Sequence, residues 1–312
     1  MIIPTRPEQK EVLAVEYAKK LNYPPERLEI LLARGRQPSK QRNAALAQSR
    51  GEIIYFLDDD SVPAAQNLLK AVEHFVDPAV QMVGGPNLCP AAAPMLERAF
   101  AGTMGTWLAF GPSASRYRAK GAVRSSSEKE LILCNLAARR AVMLELGGFN
   151  EALYPNEENA LMDELQKRGG KLVYDPSFIV HRRPRSNLFD FIRMLQTYGR
   201  GRAEQFRVRP TWGSAPNFVP PLFCLWLVFA VGAFFLHSDV SLRLVAAVSL
   251  FIYILALFVG SFFSPQPRLW FWVMPLIFFS HIFYGLGFWQ GLFTRLRSRL
   301  ESSGEVGVET LT

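Results

Sequence analysis

Cysteine is scarce in this chain. Cys89, Cys134 and Cys224 are its only three in 312 residues, and their spacing matches neither a metal site nor a redox pair. They read as ordinary reduced thiols of a reducing compartment. The chain also lacks an internal repeat, a long low-complexity tract and any nucleic-acid-binding motif, so its net charge of +8 does not imply DNA or RNA as a partner. No signal-peptide pattern opens it: MIIPTRPEQKEVLAVEYAKK has too short an apolar start before charge sets in. The amino-terminal part is therefore expected to stay in the cytoplasm. Wholesale disorder is excluded by the 49% hydrophobic content.

That apolar content is unevenly placed. Residues 1–213 mix charge and hydrophobes as a soluble α/β domain does, with a membrane-proximal helix expected at about 187–206. Residues 214–294 are dominated by apolar runs at about 218–236, 242–263 and 269–288. Each run is near the ~20 residues that cross a bilayer core. Buried core helices are the alternative, but three runs in succession with Arg243 as their one charged residue suit a multi-pass inner (cytoplasmic) membrane protein better. Arg182, Arg183, Arg185, Arg193, Arg200, Arg202, Arg207 and Arg209 precede the first run, the cationic excess of a cytoplasmic flank, and can also hold anionic lipid headgroups. The final segment, 295–312, is basic and then polar. Three full crossings would place its TRLRSRL stretch on the opposite side, against the same preference. Pro220, Pro221 and Pro275 make a bent or re-entrant segment the other option.

Within the first 213 residues, strands alternate with helices. A first strand is expected near Met1 to Pro4, a helix from Glu8 to Lys20, a strand over Leu28 to Ala33, and a helix in QRNAALAQSR. The buried strand Ile53 to Leu57 follows, then a helix from Ala65 to Val76 and a strand over Val83 to Asn87. Gly, Ser and Arg between 111 and 127 suggest a mobile loop. The alternation implies a parallel sheet, whose ligands sit at the carboxyl ends of strands. Three carboxylates, Asp58, Asp59 and Asp60, stand at such an end, in GEIIYFLDDDSVP. They repel one another unless a cation joins them; a solvated turn is the plainer reading.

The segments IIPTR, RNAAL, GEIIYFLDDDSVP, CNLAARRAVMLELGGFNE, YPNEENALMDELQKRGGKLVYDP, VHRRPRSN and YGRGR, in this order, resemble family 2 glycosyltransferases of the GT-A fold. The likeness is to membrane-anchored bacterial members that build exopolysaccharide or similar glycans. It implies a Rossmann-like nucleotide-sugar-binding domain followed by transmembrane helices. It also implies a DxD motif, in which Asp58 faces the nucleotide ribose and Asp60 binds Mn²⁺ or Mg²⁺ on the donor diphosphate; hard oxygen ligands suit both ions. His181 would complete the metal shell or be a structural residue. Glu157 and Glu158 match the family's acidic pair, with Glu158 the general base that takes the acceptor hydroxyl's proton; alternatively both favour a helix start through its dipole. Pro4, Thr5, Arg6 and Arg42 fall on the donor side. Arg34, Arg36, Lys40 and Arg42 replace the acidic loop of many relatives and either contact the diphosphate or form a solvated basic loop. Arg200 and Arg202 would close over the pyrophosphate or bind lipid headgroups.

The resemblance thus implies inverting, metal-dependent transfer of a sugar from a nucleotide-sugar donor to a lipid-linked or membrane-proximal glycan acceptor. The Gln-x-x-Arg-Trp motif of processive synthases is missing, which favours one sugar per encounter. Two other readings stand beside it. One is transfer to polyprenyl phosphate with the arginine band as clamp; the other is a catalytically degenerate nucleotide-sugar-binding subunit.

Overall fold

A computed structural model describes residues 1–153, 156–208, 210, 212–236, 239–294 and 304–311. Its elements begin with β1 (Ile2–Thr5), α1 (Leu13–Ala18), β2 (Ile30–Arg34), α2 (Pro38–Gln48), β3 (Ile53–Leu57), β4 (Val62–Pro63) and α3 (Asn67–His74). They continue through β5 (Val80–Gly84), β6 (Asn87–Leu88), α4 (Met95–Met104), α5 (Trp107–Phe110), β7 (Arg124–Ser125), β8 (Asn135–Arg139), α6 (Arg140–Glu145) and α7 (Glu157–Lys167). Then come β9 (Lys171–Tyr174), β10 (Val180–His181), α8 (Leu188–Val208), α9 (Val219–Leu236), α10 (Val240–Phe262), α11 (Trp270–Phe293) and β11 (Gly307–Leu311). The chain divides into two compact units. The first holds 1–91, 115–183 and 297–312; the second holds 92–114 and 184–296.

The first unit is an eight-stranded sheet in the order β11-β2-β1-β3-β8-β5-β9-β7. Its inner strands are short and largely apolar because both faces are covered, while the edge strands β7 and β11 are polar or exposed. Alternation along β3 sends Tyr55 and Leu57 to one face, with Ile3, Val83, Ala137 and Val173. Ile54 and Phe56 go to the other, with Ile2, Leu31, Ala33, Leu136 and Ala138. Helices α1 and α3 cover the first face; α2, α6 and α7 cover the second.

The sheet is mixed, which corrects the parallel sheet expected from the sequence. β2, β1 and β3 are parallel, but β8 runs antiparallel between β3 and β5. A helix packed back on the sheet forces a parallel return. The excursion before β8 carries α4 and α5, which belong to the second unit, so that constraint does not act. The carboxyl-terminal strand β11 was also unforeseen. It pairs antiparallel with β2, from Gly307 opposite Arg34 to Leu311 opposite Ile30. Residues 295–303, which include most of the basic stretch, lie outside the described residues. So does Arg209 of the arginine band.

The second unit contains α4, α5 and α8 to α11. Three of its segments, 213–235, 240–262 and 267–293, are long and apolar enough to cross a membrane. The expected mobile loop spans both units and is anchored in the first. There Tyr174 donates to the carbonyls of Ser115 (2.9 Å) and Arg118 (3.0 Å).

Candidate active site

The acidic turn begins where β3 stops. The amide of Ser61 donates to the Asp58 carbonyl at 3.1 Å, closing the turn and fanning out three carboxylates. Asp59 is held from β1: Thr5 Oγ1 lies 3.3 Å from Asp59 Oδ2, and the amide of Ala14 donates to the Asp59 carbonyl, tying the start of α1 to the same turn. Burial, then the charges of Asp60 and Asp58, push the Asp59 carboxyl above its ordinary value. This residue orients the turn, as its hydrogen bonds require.

Two guanidiniums answer the repulsion. Arg182, just past β10, places Nη1 3.0 Å from Asp58 Oδ2 and donates through Nε to Asp60 Oδ1, so it bridges the first and third carboxylates. Arg42 reaches in from α2, its side chain 6% exposed. It donates through Nη2 to Asp58 Oδ1 at 2.8 Å and through Nη1 to Glu157 Oε1 at 3.3 Å. One buried arginine thus ties the end of β3 to the start of α7.

Glu157 and Glu158 open α7, where negative charge suits the helix dipole, but both are buried rather than spread on a solvated face. Burial and the neighbouring Glu158 charge raise the Glu157 carboxyl to about 7, with Arg42 only partly offsetting them. Among the described residues its Oε2 has no hydrogen-bond partner. Glu158 Oε1 accepts from Asn159 Nδ2 at 2.8 Å and stands 4.0 Å from Arg116 Nη1. Arg116 is fixed in turn by donating to Asn159 Oδ1 (2.6 Å) and to the Lys129 carbonyl (2.9 Å). Behind the turn, buried Asn135 accepts from Tyr55 (2.7 Å) and donates to the Phe178 carbonyl (2.6 Å), fixing β8 to β3 and to the segment before β10.

Two family patterns match the chain: one described as glycosyl transferase family group 2 over residues 53–289, the other as glycosyl transferase family 2 over residues 10–91. The chain belongs to glycosyltransferase family 2. It is 25% identical over 197 residues to the pre-mycofactocin glycosyltransferase of Mycobacterium tuberculosis, a match covering 62% of this chain and 40% of that one. The chain thus spans about two fifths of the length of that curated relative. A mannosyltransferase from Pyrobaculum calidifontis, solved in complex with GDP-Man and Mn²⁺, is similar in fold with a TM-score of 0.53 at 17% identity, covering 94% of this chain and 86% of that one. The fold is the mixed α/β core of GT-A enzymes.

The donor chemistry of this glycosyltransferase's acidic turn suits a hard divalent ion. Such ions commonly take one or two protein carboxylates, with water and substrate phosphates filling the other positions. Asp60, 46% exposed at its side chain, offers that kind of ligand, whereas both oxygens of Asp58 already accept from arginines. His181 stands in β10 with Val62 as its backbone partner. Among the described residues no group of three or more His, Cys, Asp and Glu side chains is gathered around a point.

The other expected donor-side residues are placed as follows. Pro4 is buried in β1 opposite Ala33, and Arg6 is exposed just beyond that strand. Arg34 pairs with Glu309 of β11 at 2.7 Å and Arg36 pairs with Glu8. Both carry their own counter-ions. Arg200 and Arg202 lie on α8 of the second unit, where they bond Glu204 (2.7 Å) and Gln205 (3.2 Å) of the same helix. The residues that sequence reasoning missed are Arg182, Arg116, Asn159 and Asn135. Arg182, Asn135 and Asn159 stand inside segments that carry the family resemblance, VHRRPRSN, CNLAARRAVMLELGGFNE and YPNEENALMDELQKRGGKLVYDP, but no role attaches to them there, and Arg116 sits in a stretch with no local signature.

Proposed function

We propose that this glycosyltransferase moves a sugar from a nucleotide-sugar donor to a lipid-linked or membrane-proximal glycan hydroxyl, with inversion and one sugar per encounter. The observation carrying this reading is the Arg42 bridge, which gathers the acidic turn and the acidic start of α7 around one guanidinium. Asp58 and Asp60 form the donor side. Glu158 is the base: of the two glutamates it is the more exposed, at 11% of its side chain against 2% for Glu157. Arg116 and Asn159 orient it, while Glu157 is held beneath Arg42 and supports the pair. A base is needed because a sugar hydroxyl becomes a competent nucleophile only as its proton leaves. Mn²⁺ or Mg²⁺ held by Asp60 supplies charge neutralisation of the departing nucleoside diphosphate. The head is placed in the cytoplasm and the apolar helices in the inner membrane, which concentrates the enzyme on the surface carrying its acceptor.

The test is Glu158→Gln with donor saturating. Transfer from a panel of nucleotide sugars to membrane lipid extract should fall by ~10² or more while donor affinity holds. Near-normal turnover would reject the assignment and return Glu158 to a helix-start charge worth about 0.3–1 kcal/mol of stability.

A further inference from the structure

The chain leaves the first unit after residue 183, runs through α8 to α11, and returns to supply β11 to the first unit's sheet. That return is a built interaction. Five residues of β11 are in register with β2, Arg34 holds Glu309 at 2.7 Å, and Val306 and Val308 pack against the sheet's core. One folded, water-exposed sheet cannot stand on both sides of a bilayer, so residues 184–303 begin and end on the same side. The number of crossings is therefore even, whereas among the described residues the helices long and apolar enough to cross number three. No other segment restores the parity. Helix α8 carries Asp190, Arg193, Arg200, Arg202, Glu204 and Arg207, and the stretch 294–306 carries Arg295, Arg297, Arg299, Glu301 and Glu305. Neither is apolar enough to cross.

The contacts within the second unit show which helix stays on the near side. α9 and α10 form an antiparallel hairpin joined by residues 237–239. Phe223 and Trp226, near the start of α9, meet Tyr253 in the second half of α10 at 4.7 and 5.8 Å between ring centroids. The start of α9 and the end of α10 therefore share one end of the hairpin. The whole of α11 meets that end. Trp270, its first residue, stacks on Phe262 at 5.4 Å, and His281 in its middle lies 2.8 Å from the Tyr253 hydroxyl. Phe288 meets Phe218 at 4.8 Å, and Trp289 donates to the Pro221 carbonyl at 3.1 Å. A helix crossing beside the hairpin would progress toward residues 230–245, but α11 finishes level with where it began.

The surroundings of α11 agree. Its second half lies against α8, where Gly287 and Gly291 let the backbones of Gln196 and Arg200 approach more closely than any Cβ allows. Arg207 donates to the carbonyls of Gly291 (3.0 Å) and Thr294 (2.6 Å). A helix with charge-bearing α8 along it suits the interfacial zone. The hairpin, by contrast, is bare: Val228, Phe229 and Phe235 on α9 and Leu244, Val245 and Phe251 on α10 are each more than 60% exposed. With no polar face of its own, it suits lipid acyl chains.

We infer that α9 and α10 cross the bilayer as a hairpin, and that α11 lies in the leaflet on the side of the glycosyltransferase head without crossing. The protein is thus a two-span membrane protein whose two chain ends share a compartment. This rests on the reading that the apolar helices meet a bilayer. Carbonate extraction of membranes tests that premise alone: release of the chain would overturn both it and the topology.

The decisive experiment labels the full chain in spheroplasts with a membrane-impermeant maleimide. Cys89, Cys134 and Cys224 are replaced by alanine, and single cysteines are placed by Lys19→Cys, Ser241→Cys, Arg268→Cys or Glu305→Cys. Ser241→Cys alone should label before permeabilisation; the other three should label only after it. Labelling of Glu305→Cys or Arg268→Cys before permeabilisation would overturn the even-crossing assignment. Protection of Ser241→Cys until permeabilisation would overturn the crossing hairpin. A reporter fused after Thr312 repeats the Glu305 arm in the native-cysteine chain, and an external signal from it refutes the proposal independently of any effect of the cysteine replacements on folding.

Discussion

Replacing Glu157 by glutamine should change how stability depends on pH, more than it changes stability at any single pH. The Glu157 carboxyl titrates at about 7 in the folded protein against an ordinary 4.5. The folded state therefore holds this proton more tightly than the unfolded chain does. Between pH 4.5 and 7 the folded state binds more protons, so stability falls as pH rises; below 4.5 nothing is lost, and above 7 the full cost is present. Moving a carboxyl from 4.5 to about 7 corresponds to about 3 kcal/mol. Glu157→Gln lacks the ionisation and escapes that loss. Its stability relative to wild type should climb by about 2–3 kcal/mol from pH 5 to 8, or roughly 4–12 °C in apparent melting temperature for a domain of this size. Any constant offset comes from the altered contact with Arg42 and does not affect the slope. The assay is thermal unfolding of the full chain in detergent micelles by far-ultraviolet circular dichroism, both proteins at each pH. Because the Glu158 charge helps raise Glu157, Glu158→Gln should shift the same window to lower pH. Parallel curves for wild type and Glu157→Gln from pH 5 to 8 would refute the reasoning.

Other substitutions separate chemistry from scaffold. Asp60→Asn should weaken nucleotide-sugar binding in Mn²⁺ by about tenfold or more, about 1.4 kcal/mol, with much less effect when the ion is withheld; equal calorimetric affinity of both proteins in Mn²⁺ would remove Asp60 from the ion's shell. Asn135→Ala leaves the Tyr55 hydroxyl proton without its acceptor, though the oxygen still accepts from Asn67, and the Phe178 carbonyl without its donor; it should cost about 2–4 kcal/mol, read by the same unfolding assay, and a cost under about 1 kcal/mol would mean those groups find other partners. Deleting residues 305–312 bares the edge of β2 and should lower the melting temperature and promote association on gel filtration. Glu309→Gln, which breaks only a half-exposed ion pair, should cost at most about 1 kcal/mol; equal effects of the two changes would make the pair, not the strand, the important contact.

Much of the head was legible because its signals are local. The run Ile53 to Leu57 announces a buried strand and the three aspartates announce its end. The acidic pair at 157–158 is a helix start in the structure as in the pattern, and the three apolar runs are helices displaced by a few residues. What escaped are pairings across the chain. Arg182 lies 122 residues from Asp60 and Arg116 lies 43 from Asn159; nothing beside either arginine distinguishes it from its neighbours in a basic sequence. The direction of β8 depends on where the preceding forty residues fold, which periodicity does not encode. β11 is five residues of unremarkable composition whose partner is β2, some 275 residues away, as the separation of Arg34 from Glu309 shows.

The long-range arginines are also what make the acidic cluster tenable. Asp58, Asp59, Asp60, Glu157 and Glu158 bring five carboxyls together, and Arg42, Arg116 and Arg182 bring three guanidiniums, leaving two excess negative charges if every group is ionised. Five carboxylates placed so near one another, several of them buried, would be costly without the arginines. Full neutralisation would leave little attraction for a cation. Burial and neighbouring like charge raise both the Asp59 and the Glu157 carboxyls above their ordinary values, the sign that the excess is costly. On the proposed reading a nucleoside diphosphate approaching these carboxylates brings more negative charge and is opposed unless positive charge enters with it or Arg182 turns toward the phosphates. Affinity for a diphosphate and affinity for a divalent ion are therefore linked through one electrostatic balance, each raising the other by the same factor. On the proposed reading Asp60, whose side chain is more exposed than that of Asp58, is where that linkage is read most directly, and Arg42, bonded to both Asp58 and Glu157, couples the acidic turn to the start of α7.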